Sequence, residues 1–251
     1  MDYDSTAIPP KYHVTRQLPD DAMRRWLAAI RRSAPLQPRS IVADVGCGTG
    51  RFSAGLAELY QSDVVGLDRS VKMLAEARAR SRQPWFCAGD ADALPLLRAS
   101  IGMVFLSNVI HHLVDLQRAA EGFALALEPG GFVVVRNYLR EQLRQLPYLE
   151  FFPEAMASSM ASLNSKTEIE SAFARAGFQL ASFQTVEQPV AHSPLQYLNK
   201  IRARVYSDLA AISDEAFGAG VARMVTAVSA GWHRSLTEPV GLFSFQWRAA
   251  A

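Results

Sequence analysis

Cysteine is scarce in this chain of 251 residues, which has only Cys47 and Cys87. Two cysteines are too few for a disulfide framework or a paired-cysteine zinc site. No apolar stretch approaches the length that crosses a bilayer. Residues 1–10 carry Asp2 and Asp4 and lack the basic-then-apolar order of a secretory signal. We therefore expect no metal site, no membrane contact and a cytoplasmic location.

An excess of charge of one sign is also missing. The formal net charge is +2, and charged residues make up 20% of the chain. A protein that binds mainly a nucleic-acid backbone shows a clearer basic footprint, so we predict no nucleic-acid partner. Four arginines cluster on a predicted amphipathic helix and are interpreted as its solvated face, namely Arg24, Arg25, Arg31 and Arg32.

The stretch that organises the chain is residues 41–51. It begins as an apolar run typical of a buried strand and ends in Gly46, Gly48 and Gly50, after which a helical pattern starts. Such a turn leaves backbone N–H groups free at the positive end of a helix and lets a ligand approach the main chain. This predicts a cofactor cradle, although glycine turns also serve simply to pack a strand against a helix.

Two acidic residues follow the next two predicted strands. Asp68 ends a strand at 63–68, and Asp90 lies in a Gly-Asp-Ala loop after a strand at 85–88. A carboxylate can accept hydrogen bonds from two vicinal ribose hydroxyls or from the exocyclic amine of adenine. Two purely structural alternatives stay open: Asp68 caps the following helix, and Asp90 makes the hydrogen bonds of an ordinary turn.

Over about residues 40–136 these segments resemble, in order and spacing, the motifs of the class I S-adenosylmethionine (SAM) methyltransferases. Asp44 and the three glycines are similar to D/E-x-G-x-G-x-G, and Gly89-Asp90-Ala91 is similar to G-D-A-x-x-L-P. Residues 107–115 resemble S-N-x-x-H-H-L-x-D, although Ile101-Gly102 replaces the Phe-Asp usual just ahead. The resemblance implies SAM as the cofactor. It also implies that the following residues bind the cofactor: Asp44, Gly46, Cys47, Gly48, Gly50, Asp68, Arg69, Met73, Gly89, Asp90, Ala91, Ser107 and Asn108.

A segment before the core resembles the Tyr-Asp-x-x-Arg sequence that folds over the cofactor in small-molecule methyltransferases. His13 stands where that sequence has Asp, so only Tyr12 and Arg16 carry over as cofactor-binding candidates. A surface turn is the alternative interpretation of this segment.

Alternating strands and helices predict an α/β fold with a sheet wound on both faces, and ligands in the crevice at the carboxyl ends of the strands. The resemblance implies a seven-stranded, Rossmann-like, mostly parallel sheet whose last strand is antiparallel. We predict a single methyltransferase domain, 1–251, with its core at about 36–191 plus 236–251, an N-terminal helical cap at 1–35 and a helical lid insertion at about 192–235. Four lid residues either line a substrate cavity or pack among their own helices: Tyr197, Ile201, Val205 and Leu209.

Methyl transfer from a sulfonium depends mainly on holding the nucleophile, methyl and sulfur in line, and it requires no metal. A hydroxyl acceptor also needs a base, for which a histidine is suited. His111 and His112 are the candidates, and because adjacent side chains should diverge, we favour His111 as the one that points into the cavity. The alternative that both histidines are structural stays open.

The predicted function is SAM-dependent methyl transfer to a small organic acceptor, apolar or aromatic. The alternative is a SAM-binding protein of this fold that does not transfer methyl, such as a cyclase or an interaction module. The G-x-G-x-G spacing counts against a nicotinamide dehydrogenase, whose fingerprint is G-x-G-x-x-G. A methyltransferase for nucleic-acid bases is disfavoured because the Asn/Asp-Pro-Pro-Tyr motif is absent. The sequence does not predict the oligomeric state.

Overall fold

The computed structural model describes residues 18–248. The strands are β1 Val42–Val45, β2 Val64–Asp68, β3 Trp85–Ala88, β4 Ile101–Ser107, β5 Leu127–Asn137, β6 Phe178–Pro189 and β7 Thr237–Trp247. The α-helices are α1 Asp20–Ser33, α2 Ser53–Tyr60, α3 Val71–Arg80, α4 Leu116–Ala126, α5 Pro153–Ser162, α6 Lys166–Arg175, α7 Pro194–Arg202, α8 Ser207–Ala211 and α9 Asp214–Ser229. Short 3-10 helices span Ile110–His112, Arg140–Gln145 and Pro147–Phe151.

The strands form one seven-stranded sheet in the order β3-β2-β1-β4-β5-β7-β6. β1 to β5 pair in parallel, whereas β7 is antiparallel to both β5 and β6. This confirms the predicted α/β sheet and its antiparallel last strand. The strand order reverses beside β1, which has β2 on one side and β4 on the other, and such a switch point opens a crevice at the carboxyl ends.

The central strands are buried on both faces because helices cover the sheet on each side. All four residues of β1 are buried. One apolar cluster includes Phe123 of α4 and Phe173 of α6, and a second includes Trp26 of α1 and Leu56 of α2. The charged face of α1 is exposed, as predicted for its four arginines.

A third apolar cluster forms a cap, which we define as residues 139–163 and 192–236. β5 and β6 end, and the antiparallel β7 begins, at the same edge of the sheet, so both cap segments leave the sheet at its carboxyl edge. Tyr197, Ile201 and Leu209 are fully buried in this cluster. The structure therefore shows the packing alternative for these residues, and the predicted lid is only one half of the cap.

The sequence favours Asp20 as the cap of α1, Thr167 as the cap of α6 and a turn at residues 127–131. All three predictions are wrong for local reasons. Asp20 is the first helical residue of α1 rather than its cap, because Pro19 occupies the cap position. Ser165, not Thr167, caps α6, since its hydroxyl and the Glu168 carboxylate form a reciprocal capping box. The predicted turn at 127–131 belongs to β5, where the pairing with β4 shifts register.

Candidate functional site

The glycine turn joins the carboxyl end of β1 to α2. The backbone N–H groups of Gly46 and Cys47 donate to the Leu67 carbonyl at 2.7 and 3.0 Å, which ties the turn to β2. Gly46, Gly48 and Gly50 have φ values of 68°, 56° and 72°, a region that favours glycine. A Cβ at Gly46 would lie 2.3 Å from a methyl of Val109, whereas a Cβ at Gly48 would meet no atom within 4 Å. The turn therefore packs against Val109 at Gly46, whereas the space beside Gly48 is empty of protein atoms.

Asp68, at the end of β2, holds the glycine turn against the start of α3. One carboxylate oxygen accepts from the Gly48 N–H at 2.8 Å, and the other accepts from the Ser70 N–H at 2.9 Å. The Ser70 hydroxyl accepts from the Met73 N–H at 3.1 Å, so Ser70 is the helix cap and Asp68 is not. A carboxylate at the end of this strand can accept hydrogen bonds from two vicinal ribose hydroxyls.

Asp44 lies beneath the turn rather than at its surface. Its carboxyl group is buried, and the Ser53 hydroxyl donates to it at 2.5 Å. Burial raises the pKa of Asp44 to about 7, although the Ser53 hydrogen bond acts in the opposite direction. Cys47 is also buried, and burial raises the pKa of its thiol, so it stays protonated at neutral pH.

The Asp90 loop brings two predicted cofactor residues together. Arg69 Nε lies 3.6 Å from one Asp90 carboxylate oxygen, and the other oxygen accepts from the Asp92 N–H at 3.0 Å. The Ala93 N–H donates to the Asp90 carbonyl at 3.2 Å, so the loop also contains ordinary turn bonds. Asp90 and Arg69 are both exposed to solvent at their side chains, and an adenine ring can reach this carboxylate.

The remaining predicted cofactor residues differ in how accessible they are. Met73 is buried inside α3, and the structure therefore places its side chain in the core. Gly89 is closely packed, since a Cβ there would lie 3.0 Å from Leu67. Ala91 is half-buried. Tyr12 and Arg16 lie outside the described residues, so their role stays a prediction.

The end of β4 supplies a second wall. The Ser107 hydroxyl accepts from Arg136 Nη1 at 3.2 Å. Asn108 adopts φ 56°, and its N–H donates to the Arg136 carbonyl at 2.8 Å. The Asn108 side-chain oxygen is buried without a hydrogen-bond partner in the described part of the chain. A buried acceptor of this kind is costly unless a ligand or water satisfies it.

The two candidate histidines lie in the 3-10 helix that follows. Their ring centroids are 4.1 Å apart with an interplanar angle of 47°, so the expectation that the side chains diverge is wrong. Desolvation lowers the pKa of His112 from its ordinary value. His111 is the less exposed of the two.

Sequence reasoning missed two buried polar groups beside this site. Arg136 interrupts the apolar run of β5, and that interruption was the available signal. Glu238, at the start of β7, is fully buried. It accepts hydrogen bonds from Tyr138 and, at 3.1 Å, from Tyr197 of α7. Glu238 therefore fastens the cap to the sheet.

A cavity of about 560 Å³ lies between the start of α1, the end of β6 and α7. Its lining contains none of the predicted cofactor-binding residues and consists of Leu18, Pro19, Asp20, Asp21, Arg24, Val190, Ala191, His192, Gln196 and Lys200. Across residues 18–248, no helix is both long and apolar enough for a membrane span. In the same range, no group of three or more His, Cys, Asp or Glu side chains is placed to hold a metal ion.

Comparisons with known proteins agree with this geometry. The family described as "Methyltransferase domain" matches residues 43–135. A malonyl-[acyl-carrier protein] O-methyltransferase from Xylella fastidiosa is 30% identical over 57% of this chain and 52% of its own length. A demethylmenaquinone methyltransferase from Renibacterium salmoninarum is 33% identical over 52% and 55%. The chain thus spans about half the length of these relatives, and tRNA methyltransferases also match.

Among solved structures, a protein of Anabaena variabilis described as a methyltransferase from an antibiotic biosynthesis pathway superposes with a TM-score of 0.77. It is 18% identical, and the match covers 92% of this chain and 98% of the other. At this identity the likeness shows the fold.

The class of protein follows from the glycine turn, from the acidic residues Asp68 and Asp90, and from the match to a methyltransferase domain. Residues 43–135 match a methyltransferase domain, and the relatives that share this part of the chain are methyltransferases. The matched domain includes the glycine turn and the carboxyl ends of β1 to β4. The predicted family, α/β fold and SAM cofactor are therefore confirmed at the level of this domain.

Proposed function

We propose that this protein binds SAM over the glycine turn and transfers its methyl group to a small organic acceptor, apolar or aromatic in character. The observation that carries the proposal is the position of the Asp68 carboxylate, which accepts hydrogen bonds from the Gly48 and Ser70 N–H groups and so lies beside the open part of the glycine turn. When bound, SAM supplies an electrophilic methyl group on a positively charged sulfur.

The residues divide the binding among three parts of the cofactor. Asp68 receives the ribose hydroxyls, and Asp90 receives the adenine amine. Gly48 leaves open space where the main chain and a ligand can approach each other. Ser107 and Asn108, at the end of β4, face the methionine tail. In these assignments the two carboxylates accept from the ribose hydroxyls and the adenine amine, which are donors. The backbone and hydroxyl groups at the end of β4 can donate to the methionine tail.

The rate acceleration then comes mainly from holding the acceptor, the methyl group and the sulfur in line. The glycine turn and β4 are rigid elements of the buried sheet, and the cap stands at the same edge, where it excludes water. His111 is the proposed base that removes a proton when the acceptor is a hydroxyl. Its place directly after β4, half-buried beside Asn108, supports this role.

The proposal of a small apolar or aromatic acceptor rests on the cap and on the charge. The cap is rich in aromatic rings, including Tyr148, Phe152, Tyr206 and Trp232. The near-neutral chain offers little to a polyanion such as tRNA. The acceptors named in the relatives differ from one another, so the acceptor class is argued from this chain alone.

Calorimetric titration of the purified protein with SAM, S-adenosylhomocysteine and NAD tests the binding half of the proposal. We expect both adenosyl ligands to bind and NAD not to bind. Asp68→Asn should weaken the adenosyl ligands roughly tenfold to a hundredfold, because a hydrogen bond to a charged group contributes about 1.5–3 kcal/mol. Asp63→Asn is the matched control, since Asp63 is exposed at the opposite end of the same strand.

Mass detection of S-adenosylhomocysteine tests the transfer half. The protein is incubated with SAM and a panel of phenols, alkyl alcohols, amines and carboxylic acids, with tRNA as a separate arm. Product with a small molecule supports the proposal. Product with tRNA alone contradicts the acceptor class, and tight SAM binding without product from any arm favours a protein that keeps the fold without methyl transfer.

A further inference from the structure

Arg136 is a buried cation held by four separate elements. It lies at the end of β5 and is 1% exposed. Its guanidinium carbon lies 4.4 Å from the ring centroid of Trp26 in α1 and 5.5 Å from that of Phe52, just before α2. Gln188 of β6 accepts from one guanidinium nitrogen and, at 3.1 Å, from the Trp26 indole N–H. The guanidinium therefore has little freedom to move.

The hydrogen bond from Arg136 to Ser107 fixes the direction of the serine proton. A guanidinium has only donors, so the Ser107 oxygen must be the acceptor of the 3.2 Å contact. The hydroxyl proton is then left to donate elsewhere. No acceptor for this proton is recorded among residues 18–248, and Ser107 is half-buried, so a ligand can reach its hydroxyl.

The neighbouring cation selects the kind of ligand group that can take this proton. A positive charge beside the serine oxygen polarises the O–H bond and favours a negatively charged partner. It disfavours ammonium and sulfonium groups at the same spot. In SAM and S-adenosylhomocysteine, the one anionic group is the carboxylate of the amino-acid tail.

On these grounds we propose that the Ser107 hydroxyl donates a hydrogen bond to the cofactor carboxylate, and that Arg136 is the positioning residue that turns the hydroxyl toward it. This inference rests on the proposed function, since it requires the adenosyl ligand to bind at this edge of the sheet. It also explains why a cation is buried at the end of β5, directly after the apolar residues 132–135.

The test compares two ligands by calorimetry, S-adenosylhomocysteine and its analogue that lacks the carboxylate, 5'-S-(3-aminopropyl)thioadenosine. Ser107→Ala should weaken S-adenosylhomocysteine about tenfold or more and leave the analogue within about twofold of wild type. Ser100→Ala is the matched control, because Ser100 precedes the opposite end of the same strand and donates to the Leu97 carbonyl.

Arg136→Lys tests the positioning role, since lysine keeps the charge and loses the planar fork. We expect it to weaken S-adenosylhomocysteine and to add little to the loss in a Ser107→Ala background. Circular dichroism checks that the variant folds, and Ser107→Ala decides the question alone if it does not. Equal losses for both ligands in Ser107→Ala, or no loss for either, overturn the inference. Failure of wild type to bind either ligand overturns the proposed function instead.

Discussion

The buried carboxyl group of Asp44 makes the stability of this protein depend on pH in a calculable way. Burial raises its pKa from 3.8 to about 7. The folded state therefore holds a proton on Asp44 that the unfolded state has released between these two pH values. The stabilising contribution is complete below about pH 3.8 and is lost as the pH rises to about 7. At 1.36 kcal/mol for each pKa unit, the loss is on the order of 4 kcal/mol.

Asp44→Asn isolates this effect. The amide oxygen can still accept the Ser53 hydroxyl bond, while the group no longer titrates. Urea unfolding of wild type and variant at intervals from pH 4.5 to 8 gives the difference in unfolding free energy at each pH. Other titrating groups cancel in that difference. We expect the variant to gain about 3 kcal/mol on wild type between pH 4.5 and 8, because the measured range covers about 2.5 of the pKa units between 3.8 and 7.

An exposed acid provides the control. Asp63→Asn removes a carboxylate that is exposed to solvent, and its stability should follow that of wild type across the range. A constant difference between Asp44→Asn and wild type from pH 4.5 to 8 would refute the argument, because it would mean that Asp44 is ionised in the folded protein throughout.

Three further predictions concern the same edge of the sheet. His111→Ala should lower turnover more than tenfold with a hydroxyl acceptor and leave cofactor affinity within a few-fold, so an unchanged rate would remove His111 from the mechanism. Gly50→Ala should lower the melting temperature more than Gly48→Ala. Both substitutions strain a backbone with positive φ at about 1–2 kcal/mol, but only the new Cβ at position 50 would lie 2.9 Å from the Phe86 ring. Equal melting temperatures would contradict this. A thiol reagent followed by mass spectrometry should label the exposed Cys87 and spare the buried Cys47 until unfolding, and rapid labelling of both would be inconsistent with the packing of the turn.

The parts of the site that the sequence could predict are those written in short contiguous stretches. The glycine turn, Asp68 and Asp90 each follow a strand directly, so their place at the carboxyl edge follows from the topology of a parallel sheet. Arg136 was not predictable in the same way, because it is joined to Ser107 and Gln188 across 29 and 52 residues of chain. No local pattern encodes which strand ends meet at such a distance.

The cap shows the same limit on prediction. The periodicity of α7 and α9 indicates helices with an apolar face, but it does not say what covers that face. In the structure Tyr197 is held by Glu238 of β7, and the aromatic residues of the 3-10 helices after β5 complete the cluster. The cap of α6 is a different case, because Ser165 forms a local capping box with Glu168 and the sequence contains that pattern.

The position of β7 has a consequence for the order in which this protein can fold. β7 lies between β5 and β6 in the sheet and is the only strand that pairs with β6 within the described residues. It is also the last of the described strands to leave the ribosome. The parallel strands β1 to β5 can associate during synthesis, whereas β6 must wait until residues 237–247 have been made. Its backbone hydrogen-bonding groups, and those along one side of β5, stay exposed to other chains until β7 inserts between them.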